Sequence, residues 1–263
     1  MVFIDSHCHL DFEILQLNFE QVLARAQQNN VTHYVVPSVS ADHFYRLLNL
    51  GAQHTAIHLA LGLHPCFMAK HTEQDLALLE QLVAKCSPCA VGEIGLDFLI
   101  ETDPSRQAQQ LSLFKAQIKI AQQSALPVIL HVRKAHDQVL QVLKQLKFCA
   151  GGIVHAFNGS AVQAQRYTQE FEFKLGFGGA ITHPRATKLR ALAASVALYD
   201  IVLETDAPDM PLFAMPNAFN EPANIKYIAQ TLSELRPESL AEIAAQTFSN
   251  TVNCLALVDV IHD

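Results

Sequence analysis

Short runs rich in Val, Ile, Leu and Phe alternate along the chain with longer segments whose apolar positions recur every three or four residues. This is the pattern of parallel strands joined by helices. The runs fall at residues 2–5, 32–36, 57–61, 89–92, 127–130, 152–154, 173–176 and 201–203. Between them, Val139, Val142, Leu143 and Leu146 follow the i, i+3, i+4, i+7 stripe of one helix face, and Ile225, Ile228, Ala229 and Leu232 repeat it. Pro104 predicts the start of a long helix reaching about residue 122, and Pro237 the start of another, because proline is tolerated in a first helical turn. Eight strand–helix units in 263 residues predict an α/β fold, a (β/α)8 TIM barrel of metal-dependent hydrolase type forming a single domain over residues 1–263. A doubly wound open sheet is the alternative, but no Gly-x-Gly-x-x-Gly or Walker loop follows an early strand, and Gly176-Phe177-Gly178-Gly179 does not supply one. Residues 207–222 follow the eighth run and carry four of the eleven prolines, which predicts a loop over the barrel mouth.

Composition narrows the function classes. Half the residues are hydrophobic and 16% are charged, which excludes a disordered chain. The net charge of −7 argues against gripping long nucleic acid or anionic membrane by bulk electrostatics, while leaving room for a local phosphate site. No stretch approaches about 18 consecutive apolar residues, so no membrane span is predicted. Met1 runs directly into the first apolar run without a basic leader, which predicts a cytoplasmic protein. Six cysteines in a chain of this length make no disulfide framework. Cys86-Ser87-Pro88-Cys89 lacks a second pair to complete a zinc site and lies where a helix runs into a strand, so it reads as two packed thiols.

The candidate chemistry emerges where polar residues meet the ends of the apolar runs. The first run leads into His7-Cys8-His9, and in extended backbone residues two apart project to one side, so both imidazoles can face one metal. The fourth run ends at Glu93, the fifth at His131, the sixth at His155 and the eighth in Glu204-Thr205-Asp206. A barrel gains no stability from collecting imidazoles and carboxylates at one end, where each unpaired group is costly to desolvate. Their ligand chemistry predicts a metal site, and six ligands exceed the needs of one open catalytic ion, so two are expected. His33, His43, His54, His58, His71, His136 and His262 fall elsewhere and read as solvated or structural, and His183 is left open. His64, in Gly62-Leu63-His64-Pro65, ends the third run and is a candidate to hydrogen-bond substrate, with a structural role as the alternative.

Six segments together resemble the TatD family of metal-dependent hydrolases (TatD-type deoxyribonucleases), and within it the YjjV-like branch. They are Phe3-Ile4-Asp5-Ser6-His7-Cys8-His9-Leu10-Asp11, Gly62-Leu63-His64-Pro65, Val91-Gly92-Glu93-Ile94-Gly95-Leu96-Asp97, Pro127-Val128-Ile129-Leu130-His131, Val154-His155-Ala156-Phe157 and Leu203-Glu204-Thr205-Asp206-Ala207-Pro208. The resemblance implies a TIM barrel with two divalent ions per subunit (Zn, Mn or Mg) and cleavage of phosphate esters, in several members DNA. It implies that His7 and His9 bind one ion, His131 and His155 the other, that Glu93 bridges them, and that Asp206 completes the first site. The chain departs from many relatives in Val132 after the fifth-strand histidine, in Ala156-Phe157-Asn158-Gly159, and in a loop at 213–219 without basic residues, all of which bear on the substrate. Arg133 is the candidate phosphate clamp, with a loop-tying arginine as the alternative.

The expected reaction is phosphate-ester hydrolysis by a metal-activated hydroxide, deoxyribonuclease action being one form of it, with Asp206 and Glu93 the catalytic carboxylates. Two dications set against Glu93, Asp206 and one hydroxide leave a net positive site that suits an anionic substrate such as a DNA end. An amidohydrolase acting on an amide or lactone is the second hypothesis, because related barrels use similar ion pairs on carbonyls. Glu93 stands where those barrels use a lysine, which favours phosphate. A non-catalytic metal-binding protein is the third. No membrane and no obligate protein partner are expected.

Overall fold

The apolar runs form strands because nearly every residue in them is buried on both faces. In the computed structural model, which describes residues 1–216 and 218–257, these are β1 (Phe3–Asp5), β2 (Val31–Pro37), β3 (Ile57–Leu61), β4 (Ala90–Asp97), β5 (Val128–Arg133), β6 (Gly152–Val154), β7 (Phe173–Phe177) and β8 (Ile201–Leu203). They pair in parallel in chain order. Ser6 N–H donates to Leu203 O at 3.0 Å and Asp206 N–H to His7 O at 2.9 Å, joining the end of β8 to the end of β1. Helices alternate with the strands, and the architecture is the TIM barrel that the periodicity predicts.

Seven strands give one residue each to an inner apolar cluster: Ile4, Val35, Ala60, Ala90, Ile129, Ile153 and Val202. Val252, Leu255 and Leu257 of the C-terminal region join it, and Cys254 Sγ reaches Gly152 O at the start of β6, so the last helix seals the end where strands begin. The opposite end is left for polar residues. The larger core lies between the strands and the surrounding helices, with Tyr167, Phe44, Phe114 and Phe173 fully buried.

Three local expectations need correction. β4 and β5 extend past residues 92 and 130, so Glu93 and His131 lie within strands and not beyond their ends. A shift of register between Val91 and Ile94 carries Glu93 in an irregular stretch that re-aims its side chain. Gly95 makes the continued pairing possible, since a Cβ there would lie 1.9 Å from His131 O. Pro237 does not open the last helix, which is Leu240–Cys254; Ser239 caps it in a reciprocal box with Glu242. Cys86 and Cys89 are not both packed, because Cys86 is exposed at the end of the helix Glu73–Cys86. The helices expected from the apolar stripes are His136–Leu146 and Ile225–Leu235, and Pro104 does open the helix Pro104–Gln123. No described helix is long and apolar enough to cross a membrane. His262 and Asn217 lie outside the described residues.

Candidate metal centre

Extended backbone after β1 turns His7 and His9 to one side and Cys8 to the other, where Cys8 Sγ lies 3.8 Å from Val35 O in the strand–helix core. Glu93 is the hub. Its Oε2 lies 3.2 Å from His7 Nε2 and 3.7 Å from His9 Nε2. Its Oε1 lies 3.0 Å from His131 Nδ1 and 3.9 Å from His155 Nε2. Oε2 therefore faces His7 and His9, and Oε1 faces His131 and His155 together with His64 Nε2 at 3.1 Å. Asp206 spans the same centre, with Oδ1 3.6 Å from His9 Nε2 and 3.7 Å from His7 Nε2, and Oδ2 3.7 Å from His155 Nε2. Two donor groups result, His7–His9–Asp206 and Glu93–His131–His155, each with its ligand atoms within 4.8 Å of one another.

The donors fit divalent ions. Both ring nitrogens of buried His7, and Nδ1 of buried His9, have no hydrogen-bond partner, although His7 Nε2 is close to Glu93. The Nε2 atoms of both rings face Glu93 and Asp206, which leaves them available to an ion between these groups. Among the described residues, no Lys or Arg pairs with Glu93, Asp206 or Glu204, so this carboxylate cluster lacks permanent positive charge. The imidazoles respond accordingly. Burial opposes a charge on His155, yet Glu204, Asp206 and Glu93 outweigh it and push the ring up to about 10. Burial also opposes ionisation of Asp206, but His155, His9 and His7 bring it down to about 2. Glu93 is held well below the usual carboxylate range, its burial outweighed by His64, His7 and His155. His7 goes the other way, because burial and the stacked His155 ring, 3.7 Å between centroids, both disfavour its charge. Imidazole and carboxylate donors suit Zn²⁺, Mn²⁺ and Mg²⁺ in differing degree.

Three carboxylates that the sequence reading did not single out orient this set. Asp97 Oδ2 lies 3.1 Å from His131 Nε2. Glu204 Oε1 lies 3.0 Å from His155 Nδ1 and accepts Ala156 N–H at 2.6 Å. Gly176 leaves room for Glu204, because a Cβ there would lie 2.2 Å from its Oε2. Asp5 accepts Thr205 N–H at 2.9 Å and Thr205 Oγ1–H at 2.6 Å, and fixes the ends of β1 and β8 together. Its burial, outweighing those hydrogen bonds, pushes it up to about 7. Even spacing from Glu93 and Asp206 is no signal for Asp97 and Glu204, because the register shifts between Val91 and Ile94 and Asp206 is left-handed at φ 58°.

A cavity of about 570 Å³ lies over the centre. His9, His64, Glu93, His131, His155 and Asp206 line its polar side, and Phe12, Phe67, Phe157, Phe177 and Met210 its apolar walls. His64 Nδ1 accepts Cys66 N–H at 3.1 Å, which leaves the ring proton on Nε2 to donate to Glu93 Oε1, also at 3.1 Å. Arg133 lines the same cavity and lies 3.5 Å from Asp97 Oδ2, with its side chain 42% exposed, so it ties a loop and borders the opening at once. Asp209 and Met210 bring the loop after β8 to the cavity wall, while Phe213 and Phe219 stay exposed. His183 steadies that loop through Pro211 O at 3.3 Å. Of the other histidines, His43 pairs with Asp11, His58 with His33, and His136 with Tyr167 and Asn158, all away from the centre.

The chain is similar to known proteins along nearly its whole length. A family model described as TatD related DNase matches residues 4–256. An uncharacterized metal-dependent hydrolase of Escherichia coli K12, YjjV, is 42% identical over 95% of this chain and 96% of its own. The 3'-5' ssDNA/RNA exonuclease TatD of Erwinia amylovora is 30% identical over 88% of this chain and 91% of its own. The solved structure of YjjV, a TatD homolog from Escherichia coli, superposes with a TM-score of 0.89 at 40% identity, covering 96% of this chain and 97% of that one. With the model spanning nearly the whole barrel, the chain belongs to the TatD related DNase family of metal-dependent hydrolases.

Proposed function

We propose that the chain hydrolyses phosphate esters, the ends of single-stranded nucleic acid among them, with two divalent ions. The observation that carries this reading is the division of Glu93 between two imidazole pairs beneath one cavity. His7, His9 and Asp206 would hold one ion, His131 and His155 the other, and Glu93 both. Such a pair lowers the pKa of a bound water, polarises a phosphate oxygen and offsets the charge that builds during in-line attack.

The chain's own residues supply the rest. Asp206 is ionised and faces both donor groups, so it can take the proton of the attacking water and return one to the leaving oxygen. Glu93, ionised and fully enclosed, lets two dications sit close together. His64 holds its proton on Nε2, directed at Glu93 from the cavity side. Arg133 borders the cavity with its charge only partly engaged by Asp97, and clamps a non-bridging oxygen. The apolar walls exclude water and take the part of the substrate that does not react. The relative named as a single-strand DNA/RNA exonuclease supports the choice of phosphate over carbonyl.

The test is turnover after reconstitution with Mn²⁺, Mg²⁺ or Zn²⁺, using a chromogenic phosphodiester and labelled single-stranded DNA beside a panel of lactones and amides. Phosphodiester turnover that EDTA abolishes is expected. Turnover confined to the carbonyl panel, or no turnover at all, would overturn the proposal.

A further inference from the structure

We propose that Cys66, with His64 and His131, forms a separate site for a soft divalent ion such as Zn²⁺ or Cd²⁺, and that filling it inhibits the enzyme by drawing on His131. The inhibitory part rests on the role given above to His131; the site itself does not. Cys66 follows Pro65 in the turn after β3 and is exposed. Its sulfur and one nitrogen from each of His64 and His131 lie within 4.8 Å of one another.

The surroundings favour a cation there. Cys66 N–H is bonded to His64 Nδ1 at 3.1 Å, which fixes the cysteine backbone against that ring. The His64 and His131 rings lie 4.3 Å apart between centroids. Cys66 Sγ donates to Asp97 Oδ2 at 3.5 Å, the oxygen that also lies 3.1 Å from His131 Nε2. The sulfur thus sits against the edge of His131 opposite Glu93. On binding, the Cys66 S–H bond breaks, a sulfur–metal bond forms and the thiol proton passes to solvent; His64 ligates through Nδ1, releasing Cys66 N–H, and His131 through Nε2, its ring proton shifting to Nδ1, with no change of oxidation state. Asp97 adds a carboxylate beside the incoming dication.

Ligand softness separates this site from the main centre. A thiolate with two imidazoles favours Zn²⁺ or Cd²⁺ over Mg²⁺ and Mn²⁺, whereas each donor group of the main centre has two imidazoles and a carboxylate and no sulfur. Because His131 belongs to both, an ion on Cys66 takes this ring away from Asp97 and Glu93. Activity should therefore saturate with Mn²⁺ but rise and then fall with Zn²⁺.

Titration of the metal-stripped full-length protein with Cd²⁺, followed by thiolate-to-cadmium absorption in the ultraviolet, tests the site without any turnover. The wild type and Cys149→Ser, which removes another exposed thiol, should show a saturating band, and Cys66→Ser should lose it. His64→Asn should keep the thiol and shift saturation to higher Cd²⁺. A band that persists in Cys66→Ser, or no band in wild type once equilibrium dialysis shows cadmium bound, would overturn the site. If the band behaves as expected but Zn²⁺ added to Mn²⁺-loaded enzyme inhibits wild type and Cys66→Ser equally, the inhibitory role is wrong. Absence of turnover in every metal counts against the hydrolytic reading and leaves the band to be judged alone.

Discussion

Asp97 Oδ2 stands 3.1 Å from His131 Nε2, on the edge of the ring opposite the 3.0 Å approach of Nδ1 to Glu93 Oε1. If Nδ1 serves a metal, the ring proton must sit on Nε2, and Asp97 selects that tautomer. Asp97→Asn should weaken the second ion by about 10- to 100-fold while the ion at His7 and His9 is retained. Calorimetric metal titration separates the two steps. Equal affinities in variant and wild type would reduce Asp97 to a brace for the Leu99 and Ile100 N–H groups that it also accepts.

Glu93 offers a different signature because its two oxygens face different histidines, His7 and His9 at Oε2 and His131, His155 and His64 at Oε1. Glu93→Gln removes the charge that keeps two dications close, so both ions should weaken together. A titration in which only one step is lost would show that Glu93 is not shared.

The candidate ligands were legible in the sequence for a geometric reason. His7 and His9 are two apart in extended backbone, His155 directly follows one apolar run and Asp206 lies three residues past the end of another, so strand pattern alone sends them to one end of the barrel. Asp97 and Glu204 were not, since their roles depend on which ring nitrogen they meet across neighbouring strands, a matter of register. The irregular stretch at Val91–Ile94 is likewise invisible in composition: the apolar pattern of β4 continues through it, although the aim of Glu93 depends on it. Ser239 and Glu242 do spell a capping box in the sequence, and this box, not Pro237 two residues earlier, sets the start of the last helix.

Thiol chemistry tests the burial pattern away from the centre. Burial pushes Cys89 and Cys254 up to about 12, whereas Cys86 and Cys149 are exposed. Brief alkylation at neutral pH, read by peptide mass spectrometry, should label Cys86 and Cys149 well ahead of Cys89, Cys254 and the buried Cys8. The sign of the linked stability follows. Between about pH 9 and 12 the unfolded chain loses these two protons and the folded one keeps them, so stability should fall with rising pH across that window. A Cys89→Ala, Cys254→Ala double variant should show a shallower decline, and an unchanged slope would place the responsible groups elsewhere.

Asp206 is placed to act as ligand and as base, and the two roles make different demands. Asp206→Asn keeps the shape and one oxygen donor but cannot take a proton at neutral pH, so metal occupancy should survive far better than turnover. A general base contributes on the order of 10² to 10⁴ in rate, and the loss should fall on kcat and not mainly on KM. His7→Ala should behave otherwise, because the fully buried ring leaves a gap that excess metal only partly offsets, giving partial rescue at high ion concentration. Activity measured against metal concentration for both variants separates these outcomes. If Asp206→Asn regains wild-type kcat at high metal with normal substrate binding, Asp206 is a ligand alone. The proton acceptor would then have to be another group on the cavity wall, and His64 could serve only after giving up its Nε2 proton or its bond from Cys66 N–H.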